Sequence, residues 1–355
     1  LFTYAATVIP PEFHSTTPIT ICATAGMRLL DVELRTSVYD KLFEDLKAEP
    51  GFSFDSLRRE DIYTLDGGEE GFFGAISINS LLDNIGADLG VLPGRSPMGA
   101  LDMGGGSTQI MLPDRDPGGR LSERDFYIKS YLGFGADAFR ERVMDRLVAT
   151  KTSSDTSAIP NPCAFKGWAT THESSSRRLV GSGDADSCAG LIRSIFDEDD
   201  VDKTDNKTDI DGVSHPVVHG KFYAMSLYFF ALDCVREMAL LAQEKKRSAG
   251  LDLSEHPSEF VAAWPTPSPD MILAAAGKFC AMDWAELEPI HGTAHRYTRP
   301  DGFPHRCFEA TYVATMLKHG YGFSGSAQDV TFAFDIGGAE VEWTLGMILV
   351  DELRQ

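Results

Sequence analysis

Short apolar runs alternate along this chain with longer stretches in which apolar residues recur at helical spacing. Pro18 to Cys22 reads as a short strand ending in the turn Ala23-Thr24-Ala25-Gly26. Leu30, Leu34, Val38, Leu42 and Leu46 then recur about every fourth residue, which predicts a helix stopped by Pro50-Gly51. Ile62 to Leu65 reads as a strand closed by Asp66-Gly67-Gly68. Glu69 and Glu70 open a second helix whose apolar side holds Phe72, Phe73, Ile76, Leu81, Leu82 and Ile85. Ala100 to Met103 and Gln109 to Leu112 flank Gly104-Gly105-Gly106-Ser107-Thr108, so that unit predicts a strand–glycine loop–strand hairpin. Phe126 to Tyr131 reads as a strand and Ala136 to Val148 as a helix. Helices are also predicted over 218–242, within 271–284, over 307–319 and over 341–352, with a strand at 332–334. Lys151 to Ser187 and the acidic run Asp197 to Asp211 read as surface loops. Strands and helices alternate throughout, which makes α/β the expected class.

Composition narrows the function classes. The 355 residues allow two domains, and 43% hydrophobic with 24% charged residues is an ordinary globular balance. A net charge of −21 argues against a nucleic-acid surface. It leaves small anions open, because backbone amides and a bound cation can make a site locally positive. The strongest apolar run, Ala224 to Leu232, is far too short to cross a membrane. The chain starts at Leu1 without Met and reads as part of a longer one, so a membrane could be reached only through segments outside it. No Cys-x-x-Cys pair exists among the six cysteines. Cys163 with Cys188 and Cys280 with Cys307 bracket polar stretches suited to disulfide clips, while Cys22 and Cys234 read as free thiols. With the sequon Asn206-Lys207-Thr208, this favours the secretory pathway.

Three places carry candidate chemistry. Asp102 at a strand end precedes three residues without side chains, so backbone N–H groups there could approach phosphate closely, with Ser107 and Thr108 adding hydroxyls. A tight hairpin uses glycine without any ligand, and no P-loop lysine follows. Thr24-Ala25-Gly26 offers amides at a helix start, equally readable as a helix cap. Glu70 suits either the helix dipole or a general base.

Taken together, these segments resemble the apyrase (nucleoside triphosphate diphosphohydrolase) family. Ala23 to Leu30, Gly68 to Asn79 and Leu101 to Ile110 are similar to three of its motifs in order and spacing, and Val341 to Gly346 to a fourth more loosely. The resemblance implies a two-lobed, actin-like (ribonuclease H-like) α/β fold with the active site in the interlobe cleft. Residues 1–67 plus 332–355 would form the first lobe and 68–331 the second. It implies hydrolysis of the terminal phosphate of nucleoside di- or triphosphates (the UDP, GDP and ATP class), with Mg²⁺ or Ca²⁺ and an attacking water. Glu70 would be the base. Ser107 and Gln109 would orient the water, and Asp102 would hold the cation through its water shell. Thr24, Ala25, Gly104, Gly105, Gly106 and Thr108 would contact phosphate. Phe229 or Phe230 with Arg299 would hold the base, although Arg299 is about three residues from the position that the family suggests. The first phosphate loop of the family is expected upstream of Leu1.

Tyr131 to Gly135, Asn161-Pro162-Cys163, Gly181 to Asp184 and Trp343 to Leu349 look most like the Golgi and endolysosomal members, in whose place cell-surface members tend to carry Cys at Gly133. A Golgi or endolysosomal lumen is therefore expected, with the extracellular side as the alternative. Two other readings remain: an exopolyphosphatase-like enzyme, which usually has Glu where Gln109 stands, and a catalytically silent nucleotide-binding protein. The residues do not specify the preferred base or the oligomeric state.

Overall fold

A computed structural model describes residues 1–114, 119–150, 157–198, 209–210, 212–248 and 258–353. The sequon at Asn206 and most of the acidic run lie outside the described residues. The chain divides into two compact units, Leu1–Glu70 and Gly71–Gln355.

The first unit begins with α1 (Phe2–Val8). Strand β1 (Ile21–Ala23) leads into the short α2 (Ala25–Arg28) and then α3 (Val32–Ala48), which returns the chain to β2 (Ile62–Thr64). β2 lies parallel to β1, with Ile21 opposite Ile62 and Ala23 opposite Thr64. Asp31 caps α3 by accepting from the Leu34 amide at 2.8 Å. The helix buries Tyr39, against which Phe43 and Leu46 pack with Ile62 and Leu57. The middle of the predicted stripe faces the other way, since Leu34, Val38 and Leu42 are 49%, 42% and 36% exposed. A two-stranded sheet gives only one helix face a partner, and Tyr39 and Phe43 take it. α4 (Gly67–Leu81) starts at the end of this unit and continues into the second.

In the second unit, β3 (Gly99–Met103), β4 (Ser107–Pro113) and β5 (Phe126–Leu132) form an antiparallel meander. α5 (Ala136–Ala149) follows. The stretch expected to be loop instead contains β6 (Ile159–Asn161), β7 (Ala169–Thr171), β8 (Arg178–Gly181) and the first residues of α6 (Ala185–Glu198). These strands are only three or four residues long, too short to show a period, and polar stretches surround them. After the two-residue β9 (Asp209–Ile210) and β10 (Val213–Ser214) comes β11 (Phe222–Ala224), then α7 (Leu227–Ser248). The single helix expected over 218–242 is therefore a strand and a helix, because a continuous apolar run carries no period to separate them. Next are α8 (Glu259–Ala263), α9 (Pro269–Cys280), α10 (Trp284–Leu287), α11 (Arg306–Thr315), β12 (Val330–Phe332), β13 (Asp335–Ile336), β14 (Ala339–Glu340) and α12 (Trp343–Glu352).

The main sheet runs β12-β11-β3-β4-β5, parallel from β12 to β3 and antiparallel beyond. Every residue of α11 is buried, making it the central helix of the core, and one turn of π-helix (Met316–Gly320) extends it. Both expected disulfides form: Cys163–Cys188 ties the end of β6 to α6, and Cys280–Cys307 ties α9 to α11. Cys22 and Cys234 are free. Within this unit α12 crosses α4 closely, and a Cβ on Gly346 would lie 1.9 Å from the Phe73 carbonyl oxygen. Residues 332–353 thus pack in the second unit. Among the described residues no helix is long and apolar enough to cross a membrane.

Candidate active site

The glycine hairpin sorts its side chains by strand alternation. Asp102 stands opposite Gln109 across β3 and β4, so the two share a face, and Ser107, two residues before Gln109, shares it too. The Gln109 side-chain amide donates to the Ser107 hydroxyl oxygen at 2.9 Å and to Ser130 on β5 at 3.1 Å. With its oxygen accepting, the Ser107 hydroxyl keeps its own proton for donation.

Thr108 points to the opposite face and is fully buried. Its hydroxyl donates to the Asp102 carbonyl at 2.7 Å and lies 3.0 and 3.1 Å from the hydroxyls of Tyr228 and Tyr321. Burial pushes both phenols well above their ordinary pKa, so they remain hydroxyls. The Thr108 hydroxyl, expected to contact phosphate, anchors the hairpin to the core. The Gly104 amide, likewise expected there, donates to the Ser107 carbonyl at 3.0 Å. Gly105 and Gly106 contribute the remaining amides of the turn.

The hairpin is braced from beneath. The Gly104 carbonyl accepts from Ala136, the Gly105 carbonyl from Asp137 and Ala138, and the Gly106 carbonyl from Gly133. A Cβ on Gly135 would lie 2.4 Å from the Ser107 nitrogen and 2.5 Å from Gly105 carbon and oxygen, so only glycine allows this approach.

Asp102 is 6% exposed. Burial pushes its carboxyl up, hydrogen bonds from Ser226 and the Met103 amide act against that, and the Glu342 charge adds to the rise. Its Oδ1 is buried without a hydrogen-bond partner among the described residues. An unmet carboxylate acceptor with a second acid nearby is the kind of charge a cation relieves. No group of three or more His, Cys, Asp or Glu side chains among the described residues could hold a metal by direct ligation. The donor set fits a cation held by one carboxylate through water and not a fully protein-ligated ion. Ser226 sits at φ 57°, a left-handed conformation rare for serine, immediately before α7.

In the first unit Glu70 is buried and ion-paired with Arg28, whose Nε also donates to the Leu65 carbonyl at 2.9 Å. The guanidinium is the natural counter-charge of an ionised carboxylate, the form able to accept a proton. Thr24 precedes α2 without making a side-chain cap bond, which removes the capping alternative. Ala25 follows it, buried, as the first helical residue.

The expected base-holding aromatics open α7. Phe229 and Phe230 are half-buried, with Tyr297 at 5.9 and 5.6 Å and Phe334 at 6.0 and 5.9 Å between ring centroids. Tyr297 and Phe334 are themselves 4.9 Å apart. Arg299 projects outward, 3.8 Å from Asp301, while the guanidinium of Arg296 lies 5.0 Å from the Tyr297 ring centre.

Comparison with known proteins decides the lineage: residues 1–353 match one family model from end to end. The chain belongs to the GDA1/CD39 (nucleoside phosphatase) family. It is similar to ectonucleoside triphosphate diphosphohydrolase 8 of Bos taurus, at 29% identity across 97% of this chain and 69% of that protein. Ectonucleoside triphosphate diphosphohydrolase 2 of Homo sapiens is likewise 29% identical, across 96% of this chain and 68% of that protein. Among solved structures, nucleoside triphosphate hydrolases from Neospora caninum align with TM-score 0.60 at 14% identity, covering 95% of this chain and 72% of that one. That likeness speaks to the fold, which is the actin-like α/β class. The relatives' names make them ecto-enzymes, and the two disulfides accord with an oxidising compartment.

Sequence reasoning missed Arg28, Ser226, Tyr228, Tyr321 and Tyr297 as parts of these constellations. Arg28 stood inside a recognised motif but carried no role. The others come from segments 120 to 220 residues from the hairpin in the chain, and only the folded sheet brings Ser226, Tyr228 and Tyr321 to it.

Proposed function

We propose that this chain hydrolyses the terminal phosphate of nucleoside di- and triphosphates of the UDP, GDP and ATP class by direct attack of water. The observation that carries this reading is the shared face of Asp102, Ser107 and Gln109, with the buried, unpartnered Oδ1 of Asp102. Glu70 takes a proton from the attacking water. Ser107 and Gln109 orient that water, and the amides of Gly105 and Gly106, with Thr24 and the Ala25 amide, donate to phosphate oxygens. Asp102 would hold Mg²⁺ or Ca²⁺ through its water shell, and a bound cation would neutralise the charge on the phosphates. The four-ring cluster of Phe229, Phe230, Tyr297 and Phe334 supports base stacking. Arg296 beside Tyr297 is better placed there than Arg299. The motif resemblances and the disulfides support a Golgi or endolysosomal lumen.

The test is phosphate release from UDP, GDP, ATP and inorganic polyphosphate, each with Mg²⁺, with Ca²⁺ and with EDTA. Cation-dependent release from nucleotides supports the reading. Full activity in EDTA, or release from polyphosphate alone, contradicts it.

A further inference from the structure

Tyr297 sits in an irregular turn, half-buried, between exposed Arg296 and buried Thr298. What fixes this turn is polar. His295 is buried, with Nε2 3.2 Å from Asp233 Oδ2 and Nδ1 2.6 Å from the Thr298 hydroxyl. Arg306, at the start of α11, donates from Nε to the same hydroxyl oxygen at 2.9 Å and ion-pairs with buried Glu309. His295 therefore bridges the Asp233 carboxylate at Nε2 and the Thr298 hydroxyl at Nδ1. Asp233 also accepts from Arg236, whose guanidinium lies 5.2 Å from the Trp264 ring centre. Burial alone would push the Asp233 carboxyl up, but the hydrogen bonds from His295 and Arg236 hold it below its ordinary value.

Asp233 lies four residues after Phe229 and three after Phe230, hence on the same side of α7. One helix face therefore carries both the aromatic platform and the carboxylate that ties down the turn opposite it. The His295 and Tyr297 rings are 5.7 Å apart, so a shift of one moves the other.

We infer that Asp233 and His295 are positioning residues for base recognition: through Thr298 and Arg306 they hold the Tyr297 turn against Phe229 and Phe230, fixing the aromatic surface on which a nucleobase stacks. The inference rests on the base-stacking reading proposed above. Neither residue touches the phosphates, so their loss changes nucleotide affinity and base preference and spares the chemical step.

The experiment compares wild type with Asp233→Asn, His295→Gln, His295→Leu and Tyr297→Ala, measuring KM and kcat for UDP, GDP and base-free ribose 5-diphosphate, with melting curves to confirm folding. His295→Gln retains a donor toward Asp233; His295→Leu retains nothing. The expected result for His295→Leu and Asp233→Asn is a KM for UDP and GDP raised about tenfold or more, with a narrowed difference between the two bases. Their kcat and all constants for ribose 5-diphosphate stay near wild type, and His295→Gln recovers part of the loss. Should His295→Leu not fold, Asp233→Asn against His295→Gln carries the same comparison. If Tyr297→Ala raises KM while the Asp233 and His295 variants do not, positioning is overturned and stacking stands. If Tyr297→Ala leaves KM unchanged, the stacking reading falls and this inference with it. An equal fall of kcat on all three substrates also overturns it, by showing a general loss of structure.

Discussion

Gly135→Ala adds one methyl group beneath the glycine hairpin and replaces no side chain of the proposed chemistry. At this position the new Cβ would meet Ser107 nitrogen at 2.4 Å and Gly105 carbon and oxygen at 2.5 Å. All three are backbone atoms, so no side chain can swing aside. Restoring an ordinary separation near 3.5 Å moves the hairpin from α5 by about an ångström. That movement strains the bonds from Ala136, Asp137 and Ala138 to the Gly104 and Gly105 carbonyls. Overpacking costs about 1–3 kcal/mol and each weakened bond up to about 1 kcal/mol, so roughly 2–4 kcal/mol of stability is lost. Because Ser107 rides on the displaced backbone, turnover should fall about 10²-fold. Gly133→Ala is the control. Gly133 has φ +85° and open space around its Cβ position, so alanine there adds only backbone strain of about 1–2 kcal/mol. Urea melts and phosphate-release kinetics on both variants test the argument. Wild-type stability and turnover in Gly135→Ala would refute the bracing of the hairpin by α5.

Three further outcomes follow from other parts of the molecule. Asp102→Ala should raise the divalent-cation concentration needed for half-maximal activity, read by titrating Mg²⁺ and Ca²⁺ into the chelated enzyme; an unchanged requirement would remove Asp102 from cation holding. His305 is pushed down to about 4, first by burial and then by the Arg140 charge. The native state keeps it neutral while the unfolded chain protonates it below about pH 6.5, so stability is lost as pH falls from there toward 4. Denaturation at pH 7 and 4.5 should show a loss smaller by about 2–3 kcal/mol in His305→Gln than in wild type. Replacing Cys163 and Cys188 together by Ser should cost about 3–4 kcal/mol, because their bridge closes a 25-residue span in the unfolded chain; an unchanged denaturation midpoint would contradict that.

Local signals in the sequence were enough for the hairpin, α4, α5 and both disulfides, because each rests on nearby residues: glycines between two apolar runs, a helical period, polar spans between cysteines. Where the decision was tertiary, local pattern misled. The Leu34–Val38–Leu42 stripe of α3 looks like a buried face, yet Tyr39 and Phe43 meet the two-stranded sheet. Ala224 to Leu232 reads as one helix because a run apolar at every position but Ser226 carries no period to mark the break there. Strand alternation could have warned that Thr108, between Ser107 and Gln109, turns away from them. Nothing local connects Tyr228, Tyr321 or Tyr297 with the residues they support, since those partnerships exist only after the strands pair.

The central claim is tested most directly by measuring Glu70→Gln for phosphate release from UDP and ATP and for nucleotide affinity in the same preparation. This substitution keeps the shape of the side chain and removes its capacity to take a proton from water. The account predicts turnover lower by about 10²–10⁴-fold with nucleotide affinity near that of wild type. Turnover close to wild type would contradict it.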